Sequence, residues 1–247
     1  MLSFDEWLIH AMGRMDIRSP LFVRAVEALA ELNLTRGLLL IALLWWIWFR
    51  YDRAVGAAGE AAREVARLRA REIVIAAIVS GLIALAIGRL LAHELPFRLR
   101  PIFEPQLHGL YPAANGRVLL PRTWSSFPSD HAMLWGAIAT GIFFASRPAG
   151  IYALLHVIVL ICMPRLYLGL HYPTDLLVGL ALGVGIACVM NVPRLRAATA
   201  RPFLVLAARY PGVFFGAAFL LSFELATQFD ELRLLAFGLT HMGAYSQ

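Results

Sequence analysis

The chain has 247 residues, of which 60% are hydrophobic and 15% charged, with a mean hydropathy of +0.70. A soluble domain carries roughly 45–50% apolar and about 25% charged residues, so this composition excludes an ordinary soluble enzyme and identifies an integral membrane protein. The net charge is +6 and all 22 basic residues are Arg; they flank apolar runs and form no basic-aromatic motif, which argues against nucleic acid and for a chain facing anionic lipid.

Within residues 1–30, Leu2, Phe4, Trp7, Leu8, Ala11, Met12 and Met15 recur near helical spacing with charges between them. This predicts an amphipathic helix in the membrane interface, closed by a turn at Ser19-Pro20. Asp5, Glu6 and His10 stand where a cleavable signal needs a basic start and an apolar core, so no such signal is expected. A crossing needs about 20 mostly apolar residues. Six are expected, at about 32–50, 73–95, 130–147, 150–168, 175–192 and 210–228. The fold class is therefore all-α: a polytopic membrane helical bundle of about six transmembrane helices plus the N-terminal interfacial helix, one domain over 1–247. The tail after Asp230 is weakly amphipathic.

Segments 50–72 and 193–209 read as Arg-rich loops that share one face with the short loop at Arg147. The positive-inside rule makes that face cytoplasmic, leaving loop 96–129, the turn 169–174 and both termini opposite. Cys162 and Cys188 fall in apolar runs and read as packing residues rather than a disulfide or metal pair. Gly179, Gly183 and Gly185 lie in the fifth span and favour close helix packing, with no preceding strand to suggest a nucleotide loop. Arg89 and Glu224 are ionisable residues inside spans, placed to line a cavity, pair with another helix or, for Arg89, snorkel to the interface.

Three polar clusters fall at one membrane edge. The second span ends in "HELPFRLRP", with His93, Arg98 and Arg100; the third begins at "PSDH", with Ser129, Asp130 and His131. The fourth ends in "PRLYLGLHYPTD", with Arg165 and His171, and the fifth starts at Asp175. Arg presents a planar fork of donors that suits phosphate oxygens, and a helix start adds backbone N–H groups and a positive dipole end. One His can attack phosphorus, a second can protonate the leaving oxygen, and a carboxylate can orient the first and stabilise its cation. Phosphoryl transfer is largely positioning and charge stabilisation, which such a pocket supplies. The His and Asp count is thin for a metal and Arg is a poor neighbour for a cation, so neither metal nor cofactor is expected.

These residues resemble the type-2 phosphatidic acid phosphatase (PAP2) superfamily, whose signature is Lys-x6-Arg-Pro, then Pro-Ser-Gly-His, then Ser-Arg-x5-His-x3-Asp. Arg100-Pro101 matches the end of the first part, Pro128, Ser129 and His131 the second, and Arg165, His171 and Asp175 the third. The resemblance spans about 93–175 and implies roles. His171 would be the nucleophile of a phosphohistidine intermediate, Asp175 would orient it, and His131 would be the general acid. Arg100, Arg165, Ser129 and the backbone at Asp130 would bind phosphate, with no metal. Three positions depart: His93 replaces the Lys, Asp130 the Gly and Pro164 the Ser. His93 supplies less charge than Lys, and the nearby Arg98 is expected to compensate. Asp130 should point away from phosphate or serve leaving-group or water contacts; Asp is common there in the bacterial prenyl-diphosphate phosphatases that this chain resembles.

A site at the membrane edge lets a lipid enter sideways. The resemblance implies a lipid phosphatase of the bacterial inner membrane, facing the periplasm and acting on undecaprenyl diphosphate. Alternatives are a phosphatidylglycerophosphate or phosphatidic acid phosphatase, a phosphotransferase with the same phosphohistidine, and a non-catalytic lipid-binding protein. The lipid phosphate is the expected partner; oligomeric state is not legible. Loop 102–127 has no strong period and reads as a lid or a partner surface.

Overall fold

A computed structural model describes residues 4–13, 19–50, 59–107, 110–111 and 124–229. Among these residues the secondary structure is helical, without strands. Helices α1 (Phe4–Gly13) and α2 (Pro20–Glu31) come first, then a π-helical stretch Leu34–Leu38 that leads into α3 (Leu39–Phe49). Helix α4 (Glu60–Glu94) follows, with a single 3-10 turn at Pro101–Phe103 beyond it. Helix α5 is Asp130–Ala145; α6 (Arg147–His156) runs through a second π-helical stretch, Val157–Cys162, into α7 (Met163–Tyr167). The chain continues through α8 (Pro173–Met190), α9 (Pro193–Arg209) and α10 (Pro211–Thr227).

The architecture is the expected membrane helical bundle. Three helical stretches, Glu60–Glu94, Arg147–Tyr167 and Pro173–Met190, are long and apolar enough to cross a bilayer, and the pair Pro20–Glu31 with Leu34–Phe49, bent by 51°, makes a fourth if it is one span. Helix α10 is a shorter apolar helix of 17 residues. Helix α5, with 16 residues, is the central post, and every residue from Ala132 to Ile142 is buried. Small residues let its neighbours approach. A Cβ on Gly141 would lie 2.3 Å from Ala77 Cβ of α4, and one on Gly183 of α8 would lie 2.3 Å from the Met133 carbonyl. Gly179 is also close to the Ser129 carbonyl, at 2.7 Å, whereas Gly185 faces open space. Packing through close backbone approach needs no polar groups and suits a lipid solvent.

Two segments differ from expectation. The segment 50–72 reads as a loop, yet residues 60–72 are the first turns of α4; likewise 193–209 is helix α9. Both are Arg-rich but full of strong helix formers, Ala, Arg and Glu in 60–72 and Ala, Arg and Leu in 193–209, so helix extends beyond the apolar window that marks a crossing. An Arg67–Glu64 pair at 2.7 Å supports α4 locally, and Arg196 of α9 reaches Glu72 of α4 at 3.2 Å. At Ser19-Pro20 a helix begins: Ser19 caps α2, accepting from Phe22 N, and Pro20 opens it. The N-terminal segment is thus two helices, and α2 continues through a bend into the first apolar run. Phe22 of α2 meets Tyr167 of α7 edge-on at 5.4 Å, and the Thr35 carbonyl accepts from His156 Nε2 at 2.8 Å. Leu2, Met15, most of loop 102–127 and the tail after Asp230 lie outside the described residues.

Candidate active site

Backbone hydrogen bonds tie together the three segments that carry the polar clusters. Beyond α4, Arg98 accepts at its carbonyl from Ser126 N at 2.9 Å, and Ile102 N donates to the Gly169 carbonyl at 2.9 Å. At the start of α5, Ser129 N donates to the Asp175 carbonyl at 3.2 Å. Residues nearly 80 apart in sequence therefore meet at one end of the bundle. Gly169 makes this turn possible: its φ is +68°, and a Cβ would sit 2.8 Å from the Tyr111 ring.

His171 lies in the turn between α7 and α8 and is 3% exposed. Its Nδ1 is 2.8 Å from the Ser126 carbonyl, which can only accept, so Nδ1 carries the hydrogen and Nε2 the lone pair. Nε2 faces Arg100 Nη1 at 3.4 Å. Asp175 Oδ2 is 3.7 Å from His171 Nδ1, an ion-pair distance rather than a hydrogen bond. Burial lowers the pKa of His171 below its ordinary value, and the nearby Asp175 carboxylate opposes that shift. Arg100 is held by the Leu170 carbonyl at 2.7 Å and is 8% exposed; burial lowers its pKa too, opposed by Asp130 and Asp175.

Asp175 is fully buried in the first turn of α8. Its Oδ2 accepts from Tyr172 N at 2.8 Å, and its Oδ1 accepts from Arg98 Nη1 at 2.6 Å. Arg98 is therefore engaged with carboxylates: its Nη2 donates to Asp5 at 2.6 Å, and its guanidinium lies 3.9 Å from the centre of the Tyr172 ring. Ser129 caps α5, its Oγ accepting from Ala132 N at 3.4 Å. Asp130 Oδ1 accepts from His131 N and is 2.8 Å from His131 Nδ1. A carboxylate acceptor puts the hydrogen on Nδ1 and leaves Nε2 for exchange with a ligand. Arg165 is buried and donates to the Ile161 carbonyl at 2.8 Å, near the charges of Asp130 and Arg100. His93 is 85% exposed and pairs with its neighbour Glu94 at 3.1 Å.

A cavity of about 330 Å³ opens among these groups, walled by Arg89, His93, Arg100, Asp130 and His171. Arg165 and His131 are not on its wall, although the His131 side chain keeps 19% exposure. Among the described residues no three His, Cys, Asp or Glu side chains form a metal-binding group.

The PAP2 superfamily model matches residues 69–196, a little over half of the 247 residues. The chain belongs to the PAP2 superfamily. Membership together with the apolar helices makes it a membrane-embedded lipid phosphatase of the PAP2 type. It is similar to a solved structure, a transmembrane PAP2 type phosphatidylglycerolphosphate phosphatase from Bacillus subtilis, at 20% identity over 83% of this chain and 87% of that one, with a TM-score of 0.46. No curated protein matches.

Within this PAP2 site, sequence reasoning missed Asp5, Thr174 and Ser126. Asp5 reads as one charge on an amphipathic helix, Thr174 as a helix-start residue, and Ser126 acts through its carbonyl, which no side-chain pattern reveals.

Proposed function

We propose that the chain hydrolyses a lipid diphosphate, undecaprenyl diphosphate being the leading substrate, to the lipid monophosphate and inorganic phosphate, through a phosphohistidine. The observation that carries this reading is the cavity in which the lone pair of His171 Nε2 looks toward Arg100 and which Arg89 and His93 of α4 also line. Two arginines, Arg89 of α4 and Arg100 beyond it, in one cavity fit two linked phosphates better than one.

His171 Nε2 attacks the terminal phosphorus as the bond to the bridging oxygen breaks. The leaving oxygen takes a proton from His131, whose imidazolium is steadied by Asp130. His131 then removes a proton from water, which attacks the phosphohistidine, releases phosphate and restores His171. Nδ1–H keeps its bond to the Ser126 carbonyl throughout, and Asp175 at 3.7 Å stabilises the cation that forms on the ring. Arg100, on the cavity wall, holds the phosphate, and Arg165 behind it adds positive charge to the site. Asp130, the acid where the family motif has Gly, serves the proposed general acid rather than opposing phosphate. Arg98 acts on Asp175 rather than standing in for the motif Lys. The active site faces the periplasm of a bacterial inner membrane, with the Arg-rich ends of α4 and α9 in the cytoplasm.

The test is phosphate release by purified protein in chelator, across prenyl diphosphates, prenyl monophosphates, phosphatidic acid and phosphatidylglycerophosphate. Preference for the diphosphate supports the reading; preference for phosphatidylglycerophosphate refutes the substrate assignment. Acid-quenched enzyme should carry labelled phosphate on His171, and full activity in His171→Ala would refute the mechanism. Product formation that depends on an added lipid acceptor would make the protein a transferase.

A further inference from the structure

Asp5 is 93 residues from Arg98 and 169 from Thr174, yet it joins both. Its side chain is 9% exposed. Its carboxylate accepts from Arg98 Nη2 at 2.6 Å, from Thr174 N at 2.9 Å and from Thr174 Oγ1 at 2.7 Å. Arg98 Nη1 completes the array, donating to Thr174 Oγ1 at 2.9 Å and Asp175 Oδ1 at 2.6 Å. The apolar contact of α1 with this region is narrow, with buried Ile9 against Leu107 and Tyr172. A helix needing only to dock would gain more from a further apolar side chain, because burying a carboxylate is costly even when it is paired.

We propose that Asp5 is a positioning residue for the PAP2 reaction: through Arg98 and Thr174 it sets the first turn of α8 and the net charge of the cluster behind His171, so that α1 completes the active site. The inference rests on the reading above, in which His171 is the nucleophile and Asp175 its partner. The electrostatics follow from counting. Two carboxylates share one guanidinium, so the trio carries one net negative charge behind a ring that becomes cationic in the transition state. Without Asp5, Arg98 neutralises Asp175 alone and that charge is gone. Stabilisation of charge that develops only in the transition state appears in kcat rather than KM.

The experiment uses full-length protein in detergent with a C15 prenyl diphosphate as probe, measuring kcat and KM for Asp5→Asn, Asp5→Glu, Arg98→Gln and the double variant Asp5→Asn/Arg98→Gln. The expected result is a kcat about tenfold lower in Asp5→Asn with KM within about twofold. Asp5→Glu should recover most of the loss, and the double variant should be no worse than Arg98→Gln alone. Wild-type kcat in Asp5→Asn, or losses that multiply in the double variant, would overturn the proposal. If Asp5→Asn is not monodisperse, Thr174→Val removes the hydroxyl, with its contacts to Asp5 and Arg98, without changing charge; it should lower kcat, and wild-type kcat there overturns the proposal as well. His171→Ala, run beside these, keeps the two readings apart. Activity retained in His171→Ala defeats the site assignment, whereas an inactive His171→Ala beside a wild-type Asp5→Asn defeats only the role of Asp5.

Discussion

Replacing Asp130 with Asn isolates the one acidic residue that departs from the family motif. Asn keeps an acceptor within reach of His131 Nδ1, now 2.8 Å from Asp130 Oδ1, but removes the charge. A hydrogen bond to a charged group contributes about 1.5–3 kcal/mol and a neutral one about 0.5–1.5 kcal/mol. The difference, about 1–1.5 kcal/mol, corresponds to a rate loss of roughly 5- to 13-fold if it is expressed when His131 gives up its proton. Asp130→Gly, which restores the family residue, removes the bond altogether and should cost roughly 10- to 100-fold. The assay is a comparison of leaving groups. A lipid alkyl monophosphate needs its leaving oxygen protonated, whereas an activated aryl phosphate does not. Asp130→Asn should therefore lower kcat on the alkyl ester and leave the aryl ester nearly unchanged. Equal losses on both, or none on either, would refute the coupling of Asp130 to a general acid.

Arg89→Gln should reduce kcat/KM for a lipid diphosphate by about 10- to 100-fold, the loss of one charged contact to phosphate, and change turnover of the matching monophosphate much less; equal losses would contradict a second phosphate subsite on α4. The acid limb of kcat/KM should have its midpoint below 6.5, because burial lowers the pKa of His171 from that value and the neutral ring is the nucleophile. Stability follows the same sign: the unfolded chain takes up this proton first, so the contribution is complete above 6.5 and declines as pH falls below it, readable as a thermal midpoint across pH. Gly37→Ala should destabilise the protein by about 1–3 kcal/mol, since the added carbon would lie 1.9 Å from Cζ2 of the fully buried Trp135; an unchanged thermal midpoint would show that the bend between α2 and α3 can yield.

The helical bundle was legible because lipid leaves few options: apolar windows of crossing length must be helices, and those expected at 130–147, 150–168, 175–192 and 210–228 meet α5, α6–α7, α8 and α10 to within a few residues. Segments 60–72 and 193–209 were not legible as helix, because hydropathy measures crossing and not helicity. In the site, fixed spacing carried His171 and Asp175 together at the start of α8. It did not carry their partners. His171 Nδ1 binds the Ser126 carbonyl, and a carbonyl exists at every position, so nothing in the sequence marks this one. Arg98 illustrates the complementary failure. Its proximity to Arg100 suggested a shared task, yet its two amino groups are held by Asp5 and Asp175, far from it on either side in the sequence.

Helix α4 has a further consequence. At 1.5 Å per residue its 35 residues reach about 52 Å, against a hydrocarbon layer of about 30 Å. Residues 73–92 account for the apolar length; residues 60–72 continue as a charged rod on the side away from the cavity, braced by Arg196 of α9. That side has no sharp boundary between apolar and polar surface, so a thicker or thinner bilayer can be accommodated there by a shift of water level along a rigid helix. The other end stops abruptly at His93 and Glu94. Bilayer thickness is thus absorbed at the end without chemistry, and the cavity keeps a fixed height relative to the headgroups from which its lipid must come.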